Sequence, residues 1–298
     1  MATKKKTAPE KVLQNEEKVI GKSNEEMTGN EDTLQESIST DSPAQESLVM
    51  FDHITVVFPY CKTMAQGKEL LYAIRSWQKN VRFGINIVVI GDREDWFSEE
   101  ITFIEHQRTS DNPQIDILEK LTVALASNDV TEKFIFTADD IYLVNPISLY
   151  HIGLPKVIGP LNPENLPKLK ADNARRTIAM LDKFGLHKMN YETHTPVLIE
   201  KEGLKCMLDK YPEATEGVLV TSLYFNAYPF PARPMTLDWQ TDQIKLPIIS
   251  ANPDEKKVQE IKEMLANKVF LNNAESAYSP WLENFLKELF PFKSDFEE

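Results

Sequence analysis

Two adjacent carboxylates, Asp139 and Asp140, directly follow a short apolar segment and are the leading candidates for chemistry in this sequence. Paired carboxylates suit Mg²⁺ or Mn²⁺, because these ions prefer oxygen ligands and often bridge to substrate phosphates. Such a metal would neutralise a diphosphate leaving group as negative charge develops on it. A turn or helix-capping role is the alternative, because aspartate is common in turns after strands.

Three further side chains have a type and position that fit the same chemistry. Arg75 could bind phosphate through two parallel hydrogen bonds, or it could be a surface arginine whose stem covers the core. His194 stands between two threonines and before a proline, and could act as a general base on a hydroxyl acceptor or as a structural donor. Asp92 could hold the ribose or base of a nucleotide, or belong to a turn.

The elements that must position these residues can be read from the apolar pattern. Buried strands are predicted at 54–59, 86–90, 101–105 and 134–137, with helices at 68–81 and 113–127. Alternating strands and helices indicate right-handed βαβ units and a mostly parallel sheet, and continuously apolar strands indicate a sheet covered on both faces. Further helices are predicted at 172–184, 201–211, 254–267 and 280–289. The fold class is therefore α/β, with helices flanking the sheet and a C-terminal helical elaboration.

Ligands of open α/β sheets bind beyond the carboxyl ends of the strands. The residues that follow the predicted strands are therefore the ones to consider as a site. They include Tyr60, Asp92 and Arg93, which we predict to contact a nucleotide, and the pair Asp139 and Asp140, which we predict to hold the metal.

Composition excludes several classes of protein. The formal net charge is −13 and the pI is about 5.0, whereas nucleic-acid-binding proteins usually have a basic face. None of the ten glycines belongs to a G-x-G-x-x-G or G-x-x-x-x-G-K-[ST] motif. The two cysteines cannot form a cysteine-rich zinc site or a disulfide framework, and they fit a reducing compartment.

Residues 1–48 are rich in charged and polar residues and contain no aromatic residue, which predicts a disordered tail before an ordered domain at 49–298. The basic residues 1–8 are not followed by an apolar run, so no signal peptide is predicted. No stretch of about 18 apolar residues is present, so no transmembrane segment is predicted either. We expect a cytoplasmic location; the sequence does not indicate an oligomeric state.

The order of these elements resembles the GT-A glycosyltransferase fold, in which a buried strand ends in an aspartate motif. Several segments are more specifically similar to the Stealth family of sugar-1-phosphate transferases, which includes capsule polymerases. The similar segments are residues 69–76, 90–92, 134–146, 194–196 and 270–273.

This resemblance implies an enzyme that moves a sugar or a sugar-1-phosphate from a nucleotide-sugar donor to a hydroxyl of a glycan or saccharide acceptor. It implies Mg²⁺ or Mn²⁺ at Asp139 and Asp140, phosphate contact by Arg75, nucleotide contact by Asp92 and a base role for His194. Two positions differ from the family pattern, because no acid is found at residues 58–62 and Asn273 stands where an acid is expected. A catalytically degenerate carbohydrate-binding or assembly protein on the same fold is therefore the alternative.

Overall fold

The computed structural model describes residues 53–228, 233–246 and 253–298. The predicted tail at 1–48 lies outside the described residues, so the division of the chain at residue 48 stays a prediction. In the part of the chain that is described, the strands are β1 (Ile54–Tyr60), β2 (Ile85–Gly91), β3 (Ile101–Glu105), β4 (Lys133–Phe136), β5 (Ile141–Leu143), β6 (Lys156–Val157), β7 (Gly159–Pro160), β8 (Met189–Asn190), β9 (Val197–Glu200), β10 (Met235–Thr236), β11 (Gln243–Leu246) and β12 (Phe270–Asn273).

The helices in the same residues are α1 (Glu69–Asn80), α2 (Pro113–Ala126), α3 (Leu149–Gly153), α4 (Lys168–Lys183), α5 (Lys201–Lys210), α6 (Val220–Ala227), α7 (Glu255–Leu265) and α8 (Pro280–Leu289). Short 3₁₀ turns cover Pro212–Glu216 and Glu275–Ala277. No described helix combines the length and the apolar character that crossing a bilayer requires.

The main sheet has the strand order β3-β2-β1-β4-β9. Strands β3, β2, β1 and β4 are parallel, and β9 pairs antiparallel with β4 at one edge. The predicted α/β class, with a mostly parallel sheet flanked by helices, is confirmed. The first four predicted strands differ from the observed ones by one residue or less at either end.

Both faces of the sheet are covered, which is why its strands are apolar without interruption. In β1, Val56 and Phe58 face a core that contains Trp77 of α1 and Phe285 of α8, whereas Val57 faces a second core that contains Leu121 of α2. Side chains in a strand alternate between faces, so one continuous apolar run supplies both cores.

The C-terminal part contains α7 and α8 as predicted, and also two strands that the prediction omits. Strand β12 pairs parallel with β11 and antiparallel with β5, so that Asn272 lies opposite Ile141. This small sheet brings residues near 272 beside the turn that carries the two aspartates. A purely helical elaboration was the expectation, and four-residue strands within a mixed sequence give too little periodicity to be recognised.

Candidate active site

The two aspartates occupy the tight turn between β4, which ends at Phe136, and β5, which begins at Ile141. The chain leaves the sheet after the Thr137 amide donates to the Val57 carbonyl at 3.2 Å. This turn lies at the carboxyl edge of the parallel strands, where ligands of such sheets bind. Both side chains are half-buried and line a cavity of about 220 Å³, which we call the acidic cavity.

A third carboxylate, Glu69, lines the acidic cavity from the first turn of α1 and is 4% exposed. Its Oε2 accepts a hydrogen bond from the Gln66 amide at 2.8 Å, and its Oε1 accepts one from Asn273 Nδ2 at 2.7 Å. An acid in the first turn also interacts favourably with the helix dipole. Glu69 is part of the segment that resembles the Stealth family, but its role as a third acid of the site was not predicted.

These carboxylates are crowded and shielded from water, and both effects disfavour their ionised forms. Burial, followed by the charges of Asp140 and Glu69, raises the pKa of Asp139 well above its usual range. Burial raises the pKa of Asp140 to about 6, against the opposing effects of Lys245 and of a hydrogen bond from Asn272. Perturbed carboxylates in a cleft are typical of functional sites.

A second cavity of about 240 Å³ adjoins the first, and we call it the hydroxyl cavity. Asp140 lines both cavities, as do Thr137 and Ala138, so the acidic pair stands at their junction. The Thr137 hydroxyl is buried and has no hydrogen-bond partner among the described residues. The distinctive polar lining of the hydroxyl cavity consists of Gln114, Glu192, Thr193, His194, Thr195 and Thr221.

His194 reaches the hydroxyl cavity from the loop before β9, so the structure places it in the same cavity as Asp140. Its backbone φ is 53°, in the left-handed region, which a histidine adopts more readily than most residues. Burial, followed by the charges of Lys245 and Lys170, lowers the pKa of His194 to about 3. The imidazole is therefore neutral near pH 7 and a weak proton acceptor, and its predicted role as a base stays a prediction.

A chain of amide groups links the two sides of the junction. Asn272 hydrogen-bonds Asp140, and its Oδ1 accepts from Gln243 Nε2 at 3.1 Å. Gln243 Nε2 also donates to the His194 carbonyl at 2.7 Å. Strand β11 thus fixes both the loop that carries His194 and the amide that contacts Asp140.

Two lysines near this junction were missed by the sequence reasoning. Lys170 of α4 and Lys245 of β11 lie close enough to each other and to His194 to shift its pKa, and burial together with Lys170 lowers the pKa of Lys245. Cations in this position could bind phosphate. No local motif marks them, because they are distant in sequence and meet only through the fold.

The far wall of the acidic cavity contains a buried ion pair. Lys120 is 1% exposed, and its Nζ donates to Asp116 Oδ2 at 2.7 Å and to the Tyr60 carbonyl at 2.8 Å. Asp116 and Arg108 both line the cavity. The spacing of Asp116 and Lys120 at i and i+4 on a helix was a signal that could have identified this pair.

The structure does not bring Arg75 to this junction. Its guanidinium forms a two-point ion pair with Glu297, with contacts of 2.8 and 2.6 Å, and donates to the Phe290 carbonyl at 3.1 Å. Arg75 lies six residues after Glu69, which is about 9 Å further along the helix axis. The prediction of a phosphate contact is corrected accordingly, because the guanidinium fastens the C-terminal segment to α1 instead.

The three predicted nucleotide contacts line neither of the two cavities. The Tyr60 hydroxyl donates to Glu94 at 2.7 Å, and burial and that carboxylate raise the pKa of Tyr60. Asp92 Oδ2 accepts from the Lys62 amide at 2.7 Å and so shapes the loop after β1. Arg93 is exposed and lies over the Phe103 ring. Their predicted nucleotide contacts therefore lack support in this geometry.

Gly91 explains why the ends of β1 and β2 can approach so closely beside this loop. Its φ is 140°, and a β carbon there would lie 1.8 Å from the Tyr60 carbonyl oxygen. The glycine thus permits the contact between the two strand ends and, through the same carbonyl, the position of Lys120.

The fold and the site together define an α/β protein with an acidic cleft at the carboxyl edge of a mostly parallel sheet. Neither a protein-family model nor a curated protein matches the chain. Among solved structures, the chain is similar to a glycosyltransferase involved in the glycosylation of the major capsid of PBCV-1, with 14% identity, a TM-score of 0.38, and coverage of 79% of this chain and 98% of that one. It is also similar to an active-site mutant of LgtC, with 14% identity, a TM-score of 0.44, and coverage of 79% of this chain and 95% of that one. At this level the similarity is one of fold, and function must be argued from the site.

Proposed function

We propose that the protein is a transferase that moves a sugar, or a sugar-1-phosphate, from a nucleotide-sugar to a hydroxyl group of a saccharide acceptor. The observation that carries this proposal is the position of Asp139 and Asp140. They end a buried parallel strand, stand at the junction of two adjoining cavities, and have raised pKa values. The turn between β4 and β5 presents both carboxylates to the acidic cavity, which fits the binding of a divalent cation.

The residues present fit Mg²⁺ or Mn²⁺, because both ions prefer oxygen ligands and tolerate water in the remaining positions. Asp139 and Asp140 would hold the ion, and Glu69 stands close enough to Asp139 to raise its pKa. A cation would relieve the repulsion among these carboxylates. When bound, it would supply charge stabilisation to a diphosphate leaving group.

The surroundings of the pair fit the rest of such a substrate. Lys170 and Lys245 supply positive charge near Asp140 and His194, as a phosphate-containing ligand requires. The threonines of the hydroxyl cavity and the neutral His194 imidazole offer donors and acceptors without net charge, which suits a saccharide. The similarity of residues 69–76 and 134–146 to the Stealth family supports sugar-1-phosphate transfer as one form of the reaction.

Hydrolysis of nucleotide-sugars in the presence of Mn²⁺ tests the proposal. We expect the Asp140→Asn variant to lose activity by a factor of about 100 or more, since removing one group that stabilises developing charge commonly has an effect of that size. Asp209→Asn, on the exposed face of α5, is the matched control and should retain full activity. Equal turnover by the wild type and Asp140→Asn would rule out the assignment.

A non-catalytic carbohydrate-binding protein on the same fold is the second candidate, and one observation favours it. Asn273 is 1% exposed, donates to Glu69 at 2.7 Å and accepts from the Tyr142 hydroxyl at 2.9 Å. A buried amide thus stands where the Stealth family pattern has an acid. Calorimetry with a panel of nucleoside diphosphates separates the candidates. Metal-dependent binding favours the transferase, and saccharide binding without any nucleotide binding favours the second candidate.

A further inference from the structure

Three potential metal ligands meet on the outer side of the acidic cavity's wall. They are His106, just after β3, and Asp116 and Glu119, one turn apart on α2. One ligand atom from each lies within 4.8 Å of the other two. His106 Nε2 lies 3.5 Å from Glu119 Oε2.

Two of these atoms are buried and lack a hydrogen-bond partner among the described residues. They are His106 Nε2 and Asp116 Oδ1. Asp116 is 6% exposed and uses its other oxygen for Lys120, so Oδ1 remains as an unpaired acceptor. Buried polar atoms are nearly always satisfied, and an unsatisfied one commonly indicates a water or an ion. Two such atoms, on side chains whose potential ligand atoms lie within 4.8 Å of each other, point to a shared ligand.

The distances fit a transition metal. Tetrahedral ligands at the usual zinc–nitrogen and zinc–oxygen lengths stand about 3.4 Å apart. The His106–Glu119 pair already has about that separation, and the remaining separations, at most 4.8 Å, would have to shorten as the three side chains close on an ion. One imidazole and two carboxylates suit Zn²⁺ and its neighbours in the first row, whereas an all-oxygen set would suit Mg²⁺.

The charges agree with a cation in this position. The ammonium of Lys120 engages Asp116 Oδ2, and Glu119 adds a second carboxylate beside this pair. Glu119 also accepts from the Thr109 hydroxyl at 2.6 and 2.7 Å, and so is oriented by the same segment that supplies His106. Hydrogen bonds of this kind hold metal ligands in place.

We propose that His106, Asp116 and Glu119 bind a Zn²⁺-class ion, separate from the cation of the proposed active site. The ion would fasten the segment after β3 to α2. That segment carries Arg108 to the acidic cavity, and α2 carries Asp116 to its wall. The ion is thus a positioning element, and its binding does not depend on the proposed transferase activity.

Zinc titration of chelator-treated full-length protein, followed by calorimetry and by thermal unfolding, tests this site. The Asp139→Asn/Asp140→Asn double variant serves as the background, so that the proposed active-site cation does not contribute. We expect one Zn²⁺ per chain there, with a rise in Tm because the ion binds only the folded protein. His106→Asn and Glu119→Gln should each weaken zinc binding at least about tenfold, the lower end of the loss seen when only the support of a metal ligand is removed.

His187→Asn is the matched control, because His187 is exposed and outside the cluster. Glu119→Gln should fold normally, because this side chain is half-buried on a helix surface. Its circular dichroism spectrum should match that of the wild type, so a loss of zinc affinity would not reflect misfolding. Zinc affinity that is equal in Glu119→Gln and His187→Asn would overturn the proposal. So would the absence of zinc binding in the background protein, and in that case an ordered water between the two side chains would account for the two unpaired atoms.

Discussion

The two cavities that meet at Asp140 differ in their electrostatics although they share one wall. The acidic cavity gathers Glu69, Asp116 and Asp139 around a small volume. The polar lining of the hydroxyl cavity includes four threonines, a histidine that stays neutral near pH 7, and the carboxylates of Glu192 and Asp140. The acidic side therefore favours a cation more strongly, and the hydroxyl side offers more uncharged hydrogen-bond donors and acceptors.

This difference arises from the elements that form each side. The acidic side is made by α1, α2 and the turn after β4, where helix ends and buried ion pairs hold charged groups in place. The hydroxyl side is made by the loop before β9 together with Gln114 of α2 and Thr221 of α6, which supply hydroxyls and an amide. In the proposed transferase, this arrangement would keep the cation and the saccharide on different sides of Asp140.

The largest expected effect concerns Lys120, which neutralises the wall of the acidic cavity. Lys120→Met removes a buried ammonium and leaves Asp116 without its partner, which should lower the free energy of unfolding by about 3–5 kcal/mol. Urea unfolding measures the change. Lys133→Met is the control, because its ion pair with Glu200 is partly exposed and is worth less than about 1 kcal/mol. Equal losses in both variants would contradict the view that charge is concentrated in the acidic wall.

A smaller effect concerns the pH dependence of stability. Since burial raises the pKa of Asp140 to about 6, the folded protein holds this proton more tightly than the unfolded chain, where the pKa is about 3.9. The free energy of unfolding should therefore fall as pH rises from about 4 to about 6 and then level off for this group. The difference should be on the order of 2 kcal/mol, allowing for partial access of water.

Urea unfolding at a series of pH values, compared between the wild type and Asp140→Asn, measures this contribution. The wild type should lose more stability than the variant over that range. Saturating Mn²⁺ should reduce the loss, because a bound cation favours the ionised carboxylate. Parallel pH curves for the two proteins would show that folding does not raise the pKa of Asp140.

The smallest effect is expected on the hydroxyl side. His194→Asn keeps a residue that tolerates the left-handed backbone conformation and removes the imidazole. We expect transfer to a saccharide acceptor to fall about tenfold, or about 1.4 kcal/mol, with Mn²⁺ affinity unchanged. The pH profile of the remaining activity should match that of the wild type, because the His194 pKa of about 3 lies below the assay range. A lost acidic limb near pH 6 would instead identify His194 as a titrating base.

A feature could be predicted from the sequence when the residues that form it lie close together in the chain. Asp139 and Asp140 could be found because a buried strand and its turn are local, and local patterns survive in a single sequence. Helix α1 and the strands beside it were predicted for the same reason. Helix α6 was missed, because six of its eight residues are buried and it therefore lacks an amphipathic face.

Features that depend on distant contacts could not be predicted in this way. Arg75 has the residue type of a phosphate-binding group, but its partner is Glu297, which lies 222 positions later in the chain. The sequence gives no sign of that ion pair. The sequence leaves Asn272 and Asn273 open as polar ligands or as a turn, and only the pairing of β12 with β5 shows that one amide contacts Asp140 and the other Glu69. His194 could be picked out from its sequence neighbours, whereas its low pKa depends on burial and on two lysines from other elements.

Metal-dependent nucleotide binding tests the central claim most directly. Calorimetric titration of nucleoside diphosphates, with and without Mn²⁺, would compare the wild type with the Asp139→Asn/Asp140→Asn variant. We expect at least one nucleoside diphosphate to bind the wild type only when Mn²⁺ is present, and binding to be lost in the variant. Equal affinity in both proteins, or affinity independent of Mn²⁺, would contradict the assignment of the acidic pair as the metal site of a nucleotide-sugar transferase.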